Sequence, residues 1–249
     1  RQRDQNAEWV DGLFVGAVAV SDDGERVPTS VAYVTPEVRA RKNLTIMTGQ
    51  LAERIVFKGT RAIGVILAPL NGGPSLPIGA DEVIVSSGAL HSPALLMRSG
   101  IGPGEVLKGL GVEVVAERAG VGQNLMEHPS TAVSTYLPPA MRLNDLDEHH
   151  DHAILRFTSS LQGAPPGDMH LAMIARSGWH SIGQRIGTLF IWLNKPFSRG
   201  SVSLSSADPR AEPDVDFRLL ADARDLERLK EGFRVGALAL TDPSMRVKA

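Results

Sequence analysis

The chain of 249 residues contains no cysteine and no long apolar run. The lack of cysteine excludes disulfides, a thiolate nucleophile, and zinc or iron–sulfur sites built on sulfur. No stretch approaches the roughly 20 apolar residues that a helix needs to cross a bilayer, so we expect no membrane span. The polar start of the chain, RQRDQNAEWVDG, lacks the apolar centre of a signal peptide. We therefore expect a cytoplasmic protein.

An excess of charge of either sign is also missing. The net charge is −2, which predicts no nucleic-acid partner and no binding to an anionic membrane surface. Apolar residues make up 43% of the chain and charged residues 22%, as expected for a folded globular protein rather than a disordered one. At this length the chain forms one large domain or two modest ones.

Two nucleotide-binding motifs are absent from the sequence. It contains neither the G-x-G-x-x-G turn of dinucleotide-binding folds nor a Walker A loop. The nearest segment, GIGPGE at residues 100–105, does not follow a predicted strand directly and has Glu105 in the place of the third glycine. The 249 residues therefore hold no recognisable phosphate-binding loop.

The segment WHSIG at residues 179–183 resembles the nucleophile elbow G-x-S-x-G of serine hydrolases. Trp179 occupies the place of the first glycine, where the tight turn leaves no room for a side chain. We therefore favour a polar loop here, and a hydrolase that uses Ser181 stays an alternative.

The segment DEHHDH at residues 147–152 is rich in side chains that can bind a metal. A metal site also needs convergent geometry and outer partners that orient the ligands. Clusters of this kind in loops are mostly solvated, so we predict no metal.

The segment GVGQNLMEHP at residues 120–129 places Asn124, Glu127 and His128 after two glycines. A histidine titrates near neutral pH, so His128 could donate or accept a proton at a site. Alternatively, His128 is structural and pairs with Glu127 or with a backbone carbonyl. The structural role is favoured because a single histidine lacks the mutual geometry that a site requires.

Apolar patterning predicts a chain of mixed helices and strands. Strands are predicted at residues 13–20, 44–48, 54–57, 61–67, 82–86, 131–136, 153–157, 170–175, 188–193 and 201–204. A hairpin turn at NGG, residues 71–73, is expected to lead into the strand at residues 82–86. After Pro129 the sequence changes to weakly alternating apolar segments separated by loops. This change predicts a boundary between residues 1–128 and an antiparallel-sheet part at residues 129–249.

Four helices are predicted from their end signals. Short helices are expected at residues 36–41 and 103–110. A third begins with Ser92 as its N-cap and Pro93 as its first residue, and Gly100 ends it. The last helix follows Asp222, with an apolar stripe predicted from the spacing of Leu226, Leu229, Phe233 and Ala237.

Four segments together resemble the glucose–methanol–choline (GMC) family of flavin oxidoreductases. They are GALHSPALLMRSGIG (88–102), VGQNLMEHP (121–129), NLTIMTGQLAERIVFKGTRAIGV (43–65) and KPFSRGSVSLSSADPRAEPDVDF (195–217). The first is similar to the second signature of the family, and the second to its VGxNLxDHP segment. Met126 and Glu127 depart from the usual Gln and Asp, although glutamate keeps the charge. The resemblance covers most of the chain, in order.

The resemblance implies an α+β fold, with an α/β FAD-binding part at residues 1–128 and an antiparallel substrate-binding sheet at residues 129–249. It further implies FAD as cofactor and the oxidation of a small-molecule alcohol to a carbonyl by hydride transfer to the flavin. The Gly-rich turn of the family would precede Arg1, and its catalytic histidine would follow Ala249. The chain is therefore expected to be the central, incomplete part of such an enzyme and inactive alone.

The partners implied are the alcohol and the missing N- and C-terminal segments of the same enzyme, which could be separate chains. A non-catalytic or partner-dependent binding subunit of the same fold is the main alternative. An FAD-dependent lyase stays a weaker one, since the family also contains lyases that keep FAD without redox turnover.

Residue by residue, the resemblance implies cofactor-binding roles for Ala52, Ser87, Gly88, Ala89 and Asn124. It also implies a position close to the active site for His128, but no certain catalytic residue in this chain. Choline-oxidising members carry a glutamate where this chain has Ala89. A quaternary ammonium needs a counter-charge or an aromatic cage, so Ala89 argues against choline as the substrate.

Overall fold

The structure is a computed structural model that describes residues 5–145 and 148–243, except for the side chain of His152. The α-helices of the described residues are α1 (Thr29–Ala32), α2 (Pro36–Arg39), α3 (Gly88–Arg98), α4 (Gly104–Gly109) and α5 (Ala223–Thr241). The strands are β1 (Gly12–Val15), β2 (Gln50–Lys58), β3 (Arg61–Pro69), β4 (Leu76–Gly79), β5 (Ile101–Gly102), β6 (Ala116–Glu117), β7 (Gln123–Leu125), β8 (Ser130–Tyr136), β9 (Asp151–Phe157), β10 (Met169–Ile174), β11 (Ile186–Leu193), β12 (Gly200–Ser203) and β13 (Asp214–Asp216). None of these helices is long and apolar enough to cross a membrane.

The chain forms two compact units, each built from separate stretches of sequence. The sheet unit contains Arg1–Val20, Glu127–Ser198 and Leu219–Ala249, and the mixed unit contains Ser21–Met126 and Arg199–Arg218. Strand pairing explains the interleaving, because β1 pairs with β9 while β12 pairs with β7 and β13. The predicted division after residue 128 thus falls close to one unit boundary, but these units are not continuous in sequence.

The sheet unit is built on a five-stranded antiparallel sheet in the order β1-β9-β10-β11-β8. Side chains alternate between its faces, and Leu171 of β10 lies opposite Ile191 of β11. Both are buried with Leu229 of helix α5, so this face and the helix form one apolar core. The neighbouring pair, His170 and Trp192, belongs to the opposite face of the sheet.

Helix α5 begins where the sequence predicts, because the side chain of Asp222 accepts a hydrogen bond from the backbone N–H of Arg224. The predicted apolar stripe is wrong, since Leu226 and Phe233 are 40% and 44% exposed. The helix instead buries Asp225, Arg228, Leu229, Gly232 and Gly236. At Gly232 a Cβ would lie 2.6 Å from Cγ2 of Ile191, so glycine is needed for this close approach.

A charged cluster at the start of α5 is fully buried. Arg228 Nη1 donates to Oδ2 of Asp168 over 2.9 Å, and Nη2 donates to Asp225. Asp225 also accepts the backbone N–H groups of Phe197 and Ser198 at 2.8 and 2.7 Å. Although burial alone would raise the pKa of Asp225, these hydrogen bonds together lower it. The cluster fixes the loop between β11 and β12 to the helix.

The mixed unit contains the three-stranded antiparallel sheet β2-β3-β4. The predicted strands at residues 54–57 and 61–67 lie within β2 and β3. The partner strand predicted at residues 82–86 is wrong, because β4 at Leu76–Gly79 pairs with β3 instead. Residues 44–48 and 82–86 are extended chain outside any strand of the described residues. Leu44, Ile46, Met47 and Ile84 are exposed, with Ile84 at 81%.

Helix α3 starts four residues earlier than the predicted N-cap at Ser92. It begins at Gly88 and continues through Pro93, which has no N–H to donate within the helix. Burial of Ala94, Leu95 and Met97 on this helix offsets the lost hydrogen bond. The predicted end is confirmed: Gly100 has a φ of +85°, and a Cβ there would lie 2.3 Å from the carbonyl oxygen of Glu113.

Candidate functional site

Four aromatic side chains form a row in the sheet unit, on the face away from α5. The ring of His170 lies 5.9 Å from that of Trp9 and 5.2 Å from that of Trp192. Phe190 lies 5.8 Å from Trp192 and is 38% exposed. We call these four residues the aromatic row. Its aromatic surface, interrupted by one imidazole, is suited to a small organic ligand.

Arg156 supports the aromatic row from one side. Its guanidinium lies 3.9 Å from the ring of Trp9 and 4.8 Å from that of Phe14. It donates to the backbone carbonyl groups of Gln5 and Glu8, at 2.6 and 3.3 Å. The Arg156 side chain is buried and therefore fixes the N-terminal segment to the sheet.

His170 is held in its neutral form. Burial lowers its pKa from 6.5 to about 4, and the nearby positive charges of Arg156 and Lys195 add to this shift. Arg156 Nε donates to His170 Nε2 over 3.0 Å. Nε2 is therefore the unprotonated nitrogen, and Nδ1 carries the proton.

A cavity of about 390 Å³ lies next to the aromatic row, within the sheet unit. Its aromatic lining is Phe190 and Trp192, and its polar lining is Glu127, His128, Ser130 and Asp151. Neither lysine nor arginine lines this cavity in the part of the chain that the structure describes. We call it the sheet pocket, and it combines two aromatic rings with two carboxylates and one imidazole.

His128 is fixed at the edge of the sheet pocket. Its Nδ1 lies 2.7 Å from the carbonyl oxygen of Leu193, so Nδ1 must carry the proton and donate. In the neutral ring Nε2 is then a hydrogen-bond acceptor. Glu127 Oε1 accepts the backbone N–H of His128 over 2.7 Å. The structure thus gives His128 the backbone-carbonyl partner that the sequence suggested for a structural role, and it also places the ring against a cavity.

Asp151 begins β9 and has an unusual environment. Its Oδ1 is buried and has no hydrogen-bond partner among the described residues. A buried unpaired acceptor is unfavourable because it has lost its water without gaining a donor. The described residues contain no group of three or more His, Cys, Asp or Glu side chains that could hold a metal. Asp147 of the histidine-rich segment lies outside the described residues, as does the side chain of His152.

Three predicted cofactor-binding residues lie together at the start of α3. Ser87, Gly88 and Ala89 are exposed, and no side chain caps the helix or places a negative charge in its first turn. Gly88 has a φ of +83°, and a Cβ there would meet no atom within 4 Å. The backbone of this segment is therefore open to a ligand, and the free N–H groups of a helix start favour a polar or anionic one.

The other two predicted cofactor-binding residues lie elsewhere in the mixed unit. Ala52 is half-buried in β2, next to an irregularity of register between Ala52 and Arg54. Asn124 is exposed in β7 and has a φ of +61°, a conformation that asparagine tolerates better than most residues. The positive φ at this position therefore explains the presence of asparagine as well as a contact with the cofactor would.

The hydrolase alternative has little support. Ser181 is exposed in a turn that precedes the 3₁₀-helix Gly183–Arg185 rather than between a strand and an α-helix. The neighbouring His180 accepts the backbone N–H of Gly183 at its Nδ1. Within the described residues no hydrogen bond joins this histidine to Ser181. Trp179 is 65% exposed.

Several residues of the candidate site were missed by the sequence reasoning. His170, Phe190 and Trp192 were seen only as parts of strands, and Asp151 only as part of the segment DEHHDH that was considered for a metal. The available signal was the period of two along β10 and β11, where His170 and Trp192 alternate with buried leucine and isoleucine. An aromatic side chain on the face of a sheet opposite its core is typical of a binding surface.

Comparison with known proteins defines the class to which the chain belongs. Two family models, both described as GMC oxidoreductase, match residues 1–130 and residues 196–248. The first alone covers more than half of the chain, so the chain belongs to the GMC oxidoreductase family. The family consists of FAD-dependent flavoproteins, which confirms the predicted cofactor at the level of the family.

Individual relatives agree with this assignment. The chain is 38% identical over 248 residues to a 5-(hydroxymethyl)furfural oxidase from Methylovorus sp. (strain MP688), covering 97% of this chain and 45% of that protein. It is 31% identical over 270 residues to an oxygen-dependent choline dehydrogenase from Burkholderia pseudomallei (strain 1710b), covering 98% and 47%.

A solved structure supports the fold. The pyridoxine 4-oxidase of Mesorbium loti matches with a TM-score of 0.81 at 26% identity, covering 94% of this chain and 47% of that one. The predicted α+β class of GMC type is therefore confirmed. The chain spans about half the length of the relatives it matches.

Proposed function

We propose that this chain is part of an FAD-dependent GMC enzyme that oxidises a small-molecule alcohol to a carbonyl compound. The observation that carries the proposal is the match of the GMC models to residues 1–130 and 196–248. A bound flavin supplies the acceptor for the hydride that leaves the alcohol carbon. The residues of this chain would bind the cofactor and position the alcohol.

The start of α3 fits a flavin. Ser87, Gly88 and Ala89 present small, exposed residues and an uncapped helix start, which leaves room for a large planar cofactor and its polar edge. Asn124 would add a side-chain amide and Ala52 a backbone contact. These assignments rest on the family resemblance, and the open surroundings of Gly88 support them.

The sheet pocket is the proposed alcohol site. His128 Nε2 can accept the hydrogen bond of an alcohol hydroxyl, because Nδ1 is bound to the carbonyl oxygen of Leu193. Phe190 and Trp192 would exclude water from one side of the alcohol. His128 thus acts in this proposal as a residue that orients the substrate.

We further propose that residues 1–249 alone do not catalyse the oxidation of an alcohol. The G-x-G-x-x-G turn is not among them, and the resemblance puts the proton-accepting histidine of the family after residue 249. The test is to express the chain, add FAD, and follow flavin absorbance during titration with primary alcohols. Alcohol-dependent bleaching at a sustained rate would contradict the proposed inactivity while supporting the alcohol oxidoreductase. Flavin binding without bleaching is the expected result.

A partner-dependent binding subunit is the second candidate. Leu44, Ile46, Met47 and Ile84 are between 38% and 81% exposed, which is costly in water and favours contact with further polypeptide. This candidate predicts that the chain associates or aggregates alone. Purification as a stable, flavin-free monomer would count against it.

A further inference from the structure

The sheet pocket has a chemical character that the family assignment does not specify. Most of its polar groups are acceptors: the carboxylates of Glu127 and Asp151, and Nε2 of His128 when the ring is neutral. Ser130, whose hydroxyl can also accept, and the indole N–H of Trp192 can donate. A ligand that fills the pocket must therefore supply donors.

Asp151 makes this requirement specific. Its Oδ1 is buried without a partner among the residues that the structure describes, although the side chain lines the pocket. Rotation about the Cβ–Cγ bond, which is a soft torsion, lets either oxygen turn toward a ligand. A donor that entered the pocket would relieve the unpaired acceptor, and a charged donor would do so best.

Two cations of the sheet unit, Arg156 and Lys195, are bound to other groups. Arg156 donates to His170 Nε2 and to two backbone carbonyl groups, and Lys195 Nζ donates to the carbonyl oxygen of Pro166 over 3.0 Å. Neither side chain lines the pocket. The aromatic faces of Phe190 and Trp192 add attraction for a positive group.

We infer that the sheet pocket selects alcohols that carry an N–H-bearing cation, such as a protonated amine, with Asp151 and Glu127 as the residues that set this specificity. The inference rests on the proposed function, because it names the substrate class of that same site. A quaternary ammonium fits less well, since it has charge but no hydrogen to donate to Asp151.

The test compares four para-substituted benzyl alcohols that differ in the group opposite the alcohol. They are 4-(aminomethyl)benzyl alcohol, its N,N,N-trimethyl derivative, the neutral isostere 4-ethylbenzyl alcohol, and 4-(hydroxymethyl)benzoate. Binding to the whole 249-residue chain is measured by titration calorimetry without flavin. We expect the primary ammonium to bind roughly tenfold or more tightly than the neutral isostere, with the quaternary ammonium between them and the carboxylate weakest.

Variants assign the effect to named residues. Asp151→Asn and Glu127→Gln keep the shape and remove one charge each, so each should lower the affinity for the primary ammonium several-fold and leave the neutral isostere unchanged. Glu227→Gln removes the same charge from the exposed face of α5 and should change nothing. Thermal unfolding of each variant separates lost affinity from lost fold.

Two results would overturn the inference: equal affinity for the ammonium and the neutral isostere, or no measurable binding of any of the four. Because the titrations need no flavin, their outcome is independent of alcohol-dependent flavin reduction. A clear preference for the ammonium in a chain that binds no flavin would count against the proposed flavoenzyme and keep the pocket specificity.

Discussion

The guanidinium of Arg228 and the carboxylate of Asp168 form an ion pair of 2.9 Å in which both side chains are completely buried. Arg228 lies on helix α5, and Asp168 immediately precedes β10. The pair therefore ties the helix to the start of the central strand β10, close to the loop that Asp225 holds through Phe197 and Ser198. Neither member of this polar contact is predicted from the sequence.

Removing one member of this pair should strongly destabilise the fold. Arg228→Met leaves the buried carboxylates of Asp168 and Asp225 without their counter-charge, and we expect a loss of about 3–5 kcal/mol in the free energy of unfolding. Denaturant unfolding followed by circular dichroism measures it. Arg224→Met removes an exposed guanidinium of the same helix and should have little effect. Similar stability of the two variants would contradict the role assigned to the buried pair.

The close contact of α5 with the sheet should not tolerate a side chain at Gly232. A Cβ there would lie 2.6 Å from Cγ2 of Ile191 and 2.7 Å from Cε of Met169. We expect Gly232→Val to lose about 1–3 kcal/mol through overpacking. Gly109→Ala is the control, since no atom lies within 4 Å of its Cβ position and alanine favours the helix. A melting temperature of Gly232→Val at or above that of the wild type would reject the packing argument.

The neutral state of His170 should make stability depend on pH. Its pKa is about 4 in the folded protein against an ordinary value of 6.5, so the unfolded chain binds the proton more readily between these values. The stability that neutral His170 contributes is complete above about pH 6.5 and is lost as the pH falls toward 4.

The measurement is the melting temperature between pH 6.5 and 4 for the wild type and for His170→Gln. The variant keeps an acceptor for Arg156 Nε but cannot take up the proton, so its curve should be flatter. His91→Gln, which removes an exposed histidine, is the matched control. An equally steep curve for His170→Gln would show that other groups cause the pH dependence.

Substitutions at Asn124 should separate the effect of its backbone conformation from an effect on cofactor binding. Its φ of +61° favours glycine and asparagine, so Asn124→Gly should keep stability while Asn124→Val loses about 1–2 kcal/mol. Chemical denaturation measures both changes. If the amide side chain also contacts the flavin, Asn124→Gly should bind flavin more weakly although its stability is unchanged. Equal stability of the two variants would argue against the strained backbone.

Several elements could be predicted because their signals are local. The strands β8 to β11 follow from alternating apolar residues, and Asp222 caps α5 as its sequence indicates. The end of α3 at Gly100 follows from the left-handed conformation that glycine adopts there. The four GMC-like segments were sufficient to predict the family, which the comparisons confirm.

The errors share one physical cause, which is that burial depends on what the tertiary structure places opposite a residue. The apolar segment at residues 82–86 has no strand beside it among the described residues, and β4 pairs with β3 instead. Leu226 and Phe233 fit a helical stripe but face solvent, because Gly232 and Gly236 let the other side of α5 approach the sheet. Pro93 lies inside α3 because packing outweighs its local preference to begin a helix.

The sequence by itself determined the family, the mixed fold class and most strands of the larger sheet, since each depends on residue types at fixed spacing. Only the tertiary structure decided which residues share a site. Glu127, Asp151 and Trp192 lie on three different stretches of sequence, and strand pairing places them around one pocket. The buried pair of Arg228 and Asp168 is of the same kind, because a charge can be buried only where the fold supplies its partner.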